Sequence, residues 1–108
     1  MPRITTHAIA LEVVQRASGP MTDDLAALLD IPREHFAFEV RADAFVQDGA
    51  VVQGDPFVEV ALFDRGPEAE DKAARLITRH FQQAGCPHVD VYLVRLERRR
   101  YYEDGEPF

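Results

Sequence analysis

The sequence contains little of what disulfide-linked or membrane-embedded proteins require. Cys86 is its one cysteine, so no disulfide can form within the chain, as is usual in a reducing cytoplasm. No apolar run approaches the ~20 residues that a membrane-spanning helix needs, and the first residues lack the basic-then-apolar pattern of a signal peptide. These absences predict a soluble, cytoplasmic protein that has no membrane partner.

An excess of positive charge is missing as well. The 12 Lys and Arg residues face 19 Asp and Glu residues, so the formal net charge is −7. Such a surface repels phosphate backbones, whose attraction to basic side chains supplies most nucleic-acid affinity. The basic run at residues 98–100 lies among acidic residues and is interpreted as a solvated or intersubunit charge cluster. No nucleic-acid partner is therefore predicted.

The pattern of apolar residues predicts four strands and a short hairpin arm. The 108 residues, of which 46% are hydrophobic, have the size of one domain with a modest core. Residues 36–46 alternate between apolar and polar side chains, as in a strand with one buried face. Residues 57–63 are apolar on both faces except at Glu59, which indicates a central strand. Further strands are predicted at residues 3–9 and 89–96, and a hairpin arm at residues 50–52.

Two helices are predicted between these strands. Residues 11–29 carry apolar side chains at spacings of three, four and seven, which defines one face of a helix. Pro20 lacks a backbone N–H, so we expect a kink or a break there, and Pro32 stops the helix because the residue before a proline avoids helical angles. The second helix begins at Gly66-Pro67. The order is β-α-β, a hairpin, then β-α-β, within one domain.

Four segments of the chain carry a family pattern. They are Met1-Pro2 at the start, 28–33 where the first helix ends, 57–60 with 63–66 in the middle, and 101–108 in the tail. Together with the order of elements, they resemble the tautomerase superfamily, whose known members include macrophage migration inhibitory factor and 4-oxalocrotonate tautomerase. The likeness is greatest to a short bacterial branch of that superfamily with no assigned function.

The resemblance implies an α/β (α+β) domain, residues 1–108, in which a four-stranded mixed sheet carries both helices on one face. It also implies a homotrimer whose sheets enclose a central channel. The residues support a partner independently. Two helices can cover one sheet face only, yet the strand at 57–63 is apolar on both, so the second face is expected to meet another subunit.

Pro2 is the residue on which the implied chemistry depends. Active members of the superfamily use an amino-terminal proline as a general base. If Met1 is removed, the Pro2 nitrogen becomes a secondary amine, and α-amino groups titrate near ~8 in model peptides. Such a base can remove a proton beside a carbonyl and return it elsewhere, which is keto–enol tautomerisation and needs no metal or organic cofactor. If Met1 is retained, the nitrogen is an amide and this mechanism fails.

Arg65 follows the middle strand, where the resemblance places the mouth of the proline pocket. Its guanidinium is predicted to bind a small carboxylate ligand through paired hydrogen bonds, and an exposed arginine before a helix is the alternative. His35, Tyr101 and Tyr102 are expected to line the same cleft, with packing at a subunit contact as the alternative for the tyrosines. Arg3 neighbours the proline in sequence, but its side chain is expected to point the other way.

Other polar residues receive structural interpretations. Glu39 and Glu59 lie on strands that we expect to be neighbours, and ion pairs with arginines are favoured over acid–base chemistry. The four histidines lack metal-ligand spacing, so no metal site is predicted, and His80 on the apolar helix stripe is interpreted as a core histidine. Cys86, in the segment 86–88, is interpreted as part of a loop rather than as a reactive thiol.

Two functions from different classes follow. The leading hypothesis is a trimeric tautomerase that acts on a small 2-keto acid, with Pro2 as general base and Arg65 as the carboxylate-binding residue. The alternative is a trimeric binding or structural domain that retains the fold without the chemistry.

Overall fold

The chain folds into a four-stranded sheet with two long helices and two small hairpins. The computed structural model describes residues 2–108. The elements in chain order are β1 (Arg3–His7), α1 (Leu11–Leu29), β2 (Phe38–Arg41), β3 (Phe45–Gln47), β4 (Ala50–Val52), β5 (Phe57–Phe63), α2 (Pro67–Gln83), β6 (Asp90–Leu96), β7 (Tyr102–Glu103) and β8 (Glu106–Pro107). Neither helix in this part of the chain has the length and apolar character to cross a membrane.

β1 lies inside the sheet, although it is the first strand of the chain. The strand order is β2-β1-β5-β6. β1 runs parallel to β2 and antiparallel to β5, while β5 runs parallel to β6. Each β-α-β half therefore supplies one parallel pair, and the halves join through the antiparallel pair of β1 and β5. This topology confirms the predicted α+β fold with a mixed four-stranded sheet.

Both helices pack on one face of the sheet, which we call the covered face. Along β5, Val58, Val60 and Leu62 are each at most 2% exposed and alternate with partly exposed neighbours. They form one core with buried apolar residues of both helices, namely Val14, Ala17, Met21, Leu25, Leu29, Ala73, Leu76, Ile77 and Phe81. Burial of these side chains is the main favourable term in folding.

Helix α1 is continuous through Pro20, so the predicted break there is wrong. The helix runs from Leu11 to Leu29. Pro20 lies on its exposed side, where water can bond the carbonyl that a proline leaves without an N–H donor. The helix ends at Asp30, whose left-handed angles (φ 53°, ψ 52°) terminate it. Pro32 follows the end of the helix, in agreement with the predicted stop.

The second strand is shorter than the alternation of residues 36–46 predicts. β2 ends at Arg41, and β3 pairs with β4 in a separate two-stranded hairpin. We call this hairpin, residues 45–52, the arm. Alternation continues into the arm because a two-stranded ribbon also has two faces, so the period does not reveal the change of partner. The hairpin strand predicted at residues 50–52 is confirmed as β4.

The other face of the sheet is not covered by either helix, and we call it the open face. The strand register places on it Arg3, Thr5, His7, Glu39, Arg41, Phe57, Glu59, Ala61, Phe63, Asp90, Tyr92, Val94 and Leu96. Tyr92 and Val94 are 45% and 42% exposed. The open face thus mixes charged and apolar groups, whereas the covered face is apolar except at Thr6 and Arg95.

Residues 97–108 fold back onto the end of β5, and we call this segment the strap. The rings of Phe63, Tyr101 and Phe108 lie with their centroids within 5.4 Å of one another. The Arg98 guanidinium lies 4.6 Å from the centre of the Phe63 ring, within the range of a cation–π contact. β7 and β8 pair around a turn at residues 104–105. The strap is therefore attached to the sheet chiefly through aromatic contacts.

Candidate active site around Pro2

Pro2 is buried at the start of β1 and lines a cavity of about 330 Å³. β1 and β2 are parallel, so their first residues meet at the same edge of the sheet, and the cavity lies there. Arg3, Thr5, His35 and Glu39 are also in its wall. The structure thus brings Pro2 together with one of its predicted partners, His35.

Glu39 at this cavity is held by two arginines. Arg41 Nε donates a hydrogen bond to Glu39 Oε2 at 2.8 Å, and Arg3 Nη2 lies 3.8 Å from Oε1. This confirms the predicted ion pairing of Glu39. The hydrogen bond to Glu39, followed by the charge of that residue, raises the pKa of Arg41. The charges of Asp43 and Glu59 raise it further, so the two guanidinium groups lie among three carboxylates.

Arg65 lies at the end of α1 rather than in the cavity of Pro2. Its Nη1 donates a hydrogen bond to the carbonyl oxygen of Leu29, one of the last carbonyls of the helix, which lack donors within the helix. Arg65 also lines a second cavity of about 220 Å³, together with His35 and Arg98. Part of the guanidinium is therefore engaged by the fold, and a ligand would contact its other N–H groups.

His35 connects these cavities. It lies in the short 3₁₀ turn Arg33–His35 and lines the cavity of Pro2, the cavity of Arg65 and a third cavity of about 560 Å³. Tyr101 and Tyr102 line that third cavity. Three cavities that share His35 therefore contain all the predicted site residues, although Arg65 and the tyrosines are not in the wall of the cavity that Pro2 lines.

His7 forms a polar network on the open face that no sequence motif predicts. Its Nε2 lies 2.8 Å from Glu59 Oε1, and its Nδ1 is hydrogen-bonded to Asp43 Oδ2. Its ring is stacked on Phe57 with the centroids 4.2 Å apart. Partial desolvation raises the pKa of Tyr92, and a hydrogen bond to Glu59 and the charge of Glu59 raise it further. Glu59 is therefore bound to His7 and Tyr92, not to an arginine as predicted.

Long sequence separation explains why this network is missed. The carboxylates that bind His7 are 36 and 52 residues away in the chain. Glu59 comes near His7 because β1 pairs antiparallel with β5, which sets Thr5 opposite Glu59. Asp43 comes near it because β2, which the loop 42–44 follows, pairs with the other edge of β1. One signal is present in the sequence: Glu59 is the charged residue in an otherwise apolar strand, and such a residue needs a partner when its strand lies inside a sheet.

Two further polar groups are buried away from these cavities. His80 is 9% exposed, and its Nε2 lies 2.6 Å from Asp24 Oδ2, which links α2 to α1; this confirms its interpretation as a core histidine. Cys86 is buried in the loop after α2, and burial raises the pKa of its thiol, so it is a poor nucleophile at neutral pH. Among residues 2–108, no cluster of His, Cys, Asp and Glu has an arrangement that could hold a metal ion.

Comparison with known families decides where the chain belongs. The model of the family described as "Domain of unknown function (DUF1904)" matches residues 1–107. The chain belongs to the DUF1904 family. A DUF1904 crystal structure from Sebaldella termitidis is 33% identical, covers 100% of both chains and has a TM-score of 0.88. A structure from Vibrio cholerae is 28% identical, covers 99% of this chain and 87% of that chain, and has a TM-score of 0.85.

Members of the tautomerase superfamily share the fold of this DUF1904 protein. A macrophage migration inhibitory factor-like protein from Entamoeba histolytica is 12% identical, covers 99% of this chain and 98% of that chain, and has a TM-score of 0.68. Other structures with this fold include a fused 4-OT protein, a malonate semialdehyde decarboxylase and a member of the cis-3-chloroacrylic acid dehalogenase family. At such low identity the likeness establishes the fold, and it confirms the predicted resemblance. A search of curated proteins found no match.

Proposed function

We propose that this DUF1904 protein is a cofactor-independent tautomerase that interconverts the keto and enol forms of a small 2-keto acid. The observation that carries the proposal is the position of Pro2, which is buried at the start of a central strand and lines a cavity. The fold is shared with a malonate semialdehyde decarboxylase that has been solved as the wild type and as a mutant with alanine in place of a proline at its first position.

Pro2 acts as the general base in this proposal. Removal of Met1, which lies outside the described residues, converts the Pro2 nitrogen from an amide into a secondary amine with a lone pair. The amine takes a proton from the carbon next to the substrate carbonyl, the electron pair moves to the carbonyl oxygen, and that oxygen then receives the proton to give the enol. The charge of Arg3, which lines the same cavity, favours the uncharged amine and attracts the anionic substrate.

The substrate carboxylate is oriented toward His35 and Arg65. His35 lines both the cavity of Pro2 and the neighbouring cavity, where Arg65 offers the N–H groups that Leu29 does not occupy. A planar guanidinium is well suited to a carboxylate because it can donate two parallel hydrogen bonds. Tyr101 and Tyr102 border the adjoining cavity and bound the ligand on that side.

Mass spectrometry and a tautomerisation assay test the role of Pro2. Protein from its native host should have a mass that lacks Met1, and it should tautomerise phenylpyruvate. Pro2→Ala should lower the rate by about 10²–10⁴-fold, the usual contribution of a general base. Pro20→Ala, which changes an exposed proline of α1, is the matched control and should leave the rate unchanged. A retained Met1, or equal rates for wild type and Pro2→Ala, contradicts the assignment.

We further propose a cytoplasmic homotrimer in which the open face meets the other subunits, with no nucleic-acid partner. Tyr92 and Val94 support it, because they are exposed on a face that the helices leave uncovered. The fused 4-OT neighbour is itself described as an asymmetric trimer. Light scattering at micromolar concentration should give about three times the 12.2 kDa of one chain, and the mass of a single chain contradicts the trimer.

A trimeric binding domain without catalysis is the second candidate function. The hydrogen bond from Arg65 to Leu29 favours it, because an arginine that holds a helix end is partly used by the fold. Calorimetry separates the two candidates. Binding of a 2-keto acid by protein that has lost Met1, without turnover in the assay above, supports the binding domain, whereas turnover that depends on Pro2 supports the enzyme.

A further inference from the structure

His7 on the open face has a carboxylate partner at each of its two ring nitrogens. Its side chain is 9% exposed, and each of its ring nitrogens faces a carboxylate oxygen, one from Asp43 and one from Glu59. A carboxylate can only accept a hydrogen bond, so the two bonds form together only when both ring nitrogens carry protons. The parallel stack of His7 on Phe57, with 5° between the planes, fixes the direction in which the two N–H groups point.

Asp43 connects this histidine to a separate part of the molecule. It lies in the loop 42–44, between the end of β2 and the arm. The strands of the arm pair with each other, and the arm exposes Val46 and Val51 to 70% and 80%. The bond of His7 to Asp43 therefore links the loop 42–44 to the central strand β1. This loop leads into the arm, whose apolar side chains are exposed.

The two carboxylates are not equivalent. Glu59 lies on β5 inside the sheet and also holds the Tyr92 hydroxyl. Asp43 lies in a loop and is 34% exposed, so it can turn to water with little change elsewhere. Neutral imidazole donates one hydrogen bond and presents a lone pair on the other nitrogen, and a lone pair repels a carboxylate. Loss of one proton from His7 therefore breaks one of the two contacts, and the loop carboxylate is the one free to leave.

We propose that His7 is a proton-dependent clasp for the arm. In its charged form it binds Asp43 and Glu59 together and holds the loop 42–44 against the open face. In its neutral form it keeps Glu59 and releases Asp43, which frees the arm to change its orientation. The charged and titratable groups of the open face around this ring are Arg3 on β1, Glu39 and Arg41 on β2, Asp43 in the loop, Glu59 on β5, and Asp90 and Tyr92 on β6.

Nuclear magnetic resonance can follow the clasp and the arm in one titration of the full chain. The Cε1–H signal of His7 reports its proton, and the methyl signals of Val46 and Val51 report the arm. In the wild-type protein the methyl signals should shift with the same midpoint as the His7 signal. Methyl signals that do not move while His7 titrates overturn the proposal.

Two variants identify Asp43 as the link. Asp43→Asn should abolish the pH-dependent methyl shifts of the arm, because an amide does not respond to the charge of His7 as a carboxylate does. Asp43→Ala tests the same bond by removing the acceptor. The matched control is Asp24→Asn, which removes the carboxylate partner of the other buried histidine, His80, and should leave the shifts of the arm intact. Shifts that persist in both Asp43 variants overturn the clasp.

Discussion

The two faces of the sheet differ in what packs against them. On the covered face, Val58, Val60 and Leu62 are sealed by helices of the same chain. On the open face, the alternate residues of the same strand include Glu59, which binds His7, and Phe63, which the strap contacts. One strand thus serves a self-contained core on one side and a polar, partly exposed surface on the other. We expect the stability of the fold to depend on the first and its recognition chemistry on the second.

Truncation of matched apolar residues should give the largest difference between the faces. Phe81→Ala should lower the free energy of unfolding by about 3–5 kcal/mol, because this ring is fully buried against the covered face and its loss leaves a cavity. Val94→Ala on the open face should cost less than about 1 kcal/mol at chain concentrations too low for subunits to associate, since its side chain is 42% exposed in the single chain.

Urea unfolding, repeated over a range of chain concentrations, measures both values. Similar losses for the two variants would remove the contrast in stability between the faces. A loss for Val94→Ala that grows with chain concentration would instead show that another copy covers the open face.

Two glycine-to-alanine substitutions should change the stability of the protein in opposite directions. Gly54→Ala should destabilise the protein by about 1–3 kcal/mol, because the added Cβ would lie 2.3 Å from the Phe45 ring at the base of the arm. Gly19→Ala should stabilise it by about 0.5–1 kcal/mol, because this glycine lies inside α1 with open space around it. Thermal unfolding measures both, and a neutral Gly54→Ala would mean that the Phe45 ring is not held in place.

Removal of the Glu59 charge on the open face should change the pKa of Tyr92. Glu59→Gln should lower the pKa of Tyr92 toward its ordinary value, because two of the three causes that raise it come from Glu59. In the wild type this raised pKa contributes stability below the ordinary tyrosine range of ~10, which is lost as the pH rises through the folded value. The substitution should therefore narrow the alkaline pH range over which this stability is lost.

Residue-resolved magnetic resonance of the tyrosine rings measures this shift. Glu70→Gln is the control, because Glu70 binds Arg95 on the helical side of the molecule, and it should leave Tyr92 unchanged. A Tyr92 titration that is the same in all three proteins would show that the open-face network does not affect this ring.

The periodic spacing of apolar residues predicts most of the fold. β5 has the predicted bounds, and both helices begin where their spacing and turn residues indicate. The end of the second strand is wrong for a physical reason: the period of apolar residues reports burial and not pairing partners. Residues 36–46 alternate throughout, yet the chain leaves the sheet after Arg41 because β3 finds its partner in β4. Pro20 is tolerated because it lies on the exposed side of α1.

The candidate site is less accessible to sequence reasoning. The burial of Pro2 beside His35 agrees with the resemblance to the tautomerase superfamily. Arg65 instead donates a hydrogen bond to the carbonyl oxygen of Leu29 at the end of α1, a contact that only the fold reveals. The network of His7 depends on two carboxylates that are distant in sequence. Their meeting depends on strand register, which local patterns leave open.

The place of β1 in the sheet has a consequence for synthesis on the ribosome. β1 is made first, and β2 can pair with one of its edges as soon as α1 and β2 have emerged, but the other edge waits for β5. An unpaired strand edge accepts strands from other chains, so the nascent protein carries an adhesive edge while residues 42–63 are translated. The antiparallel junction of the two halves is thus also the step that closes the second edge of β1.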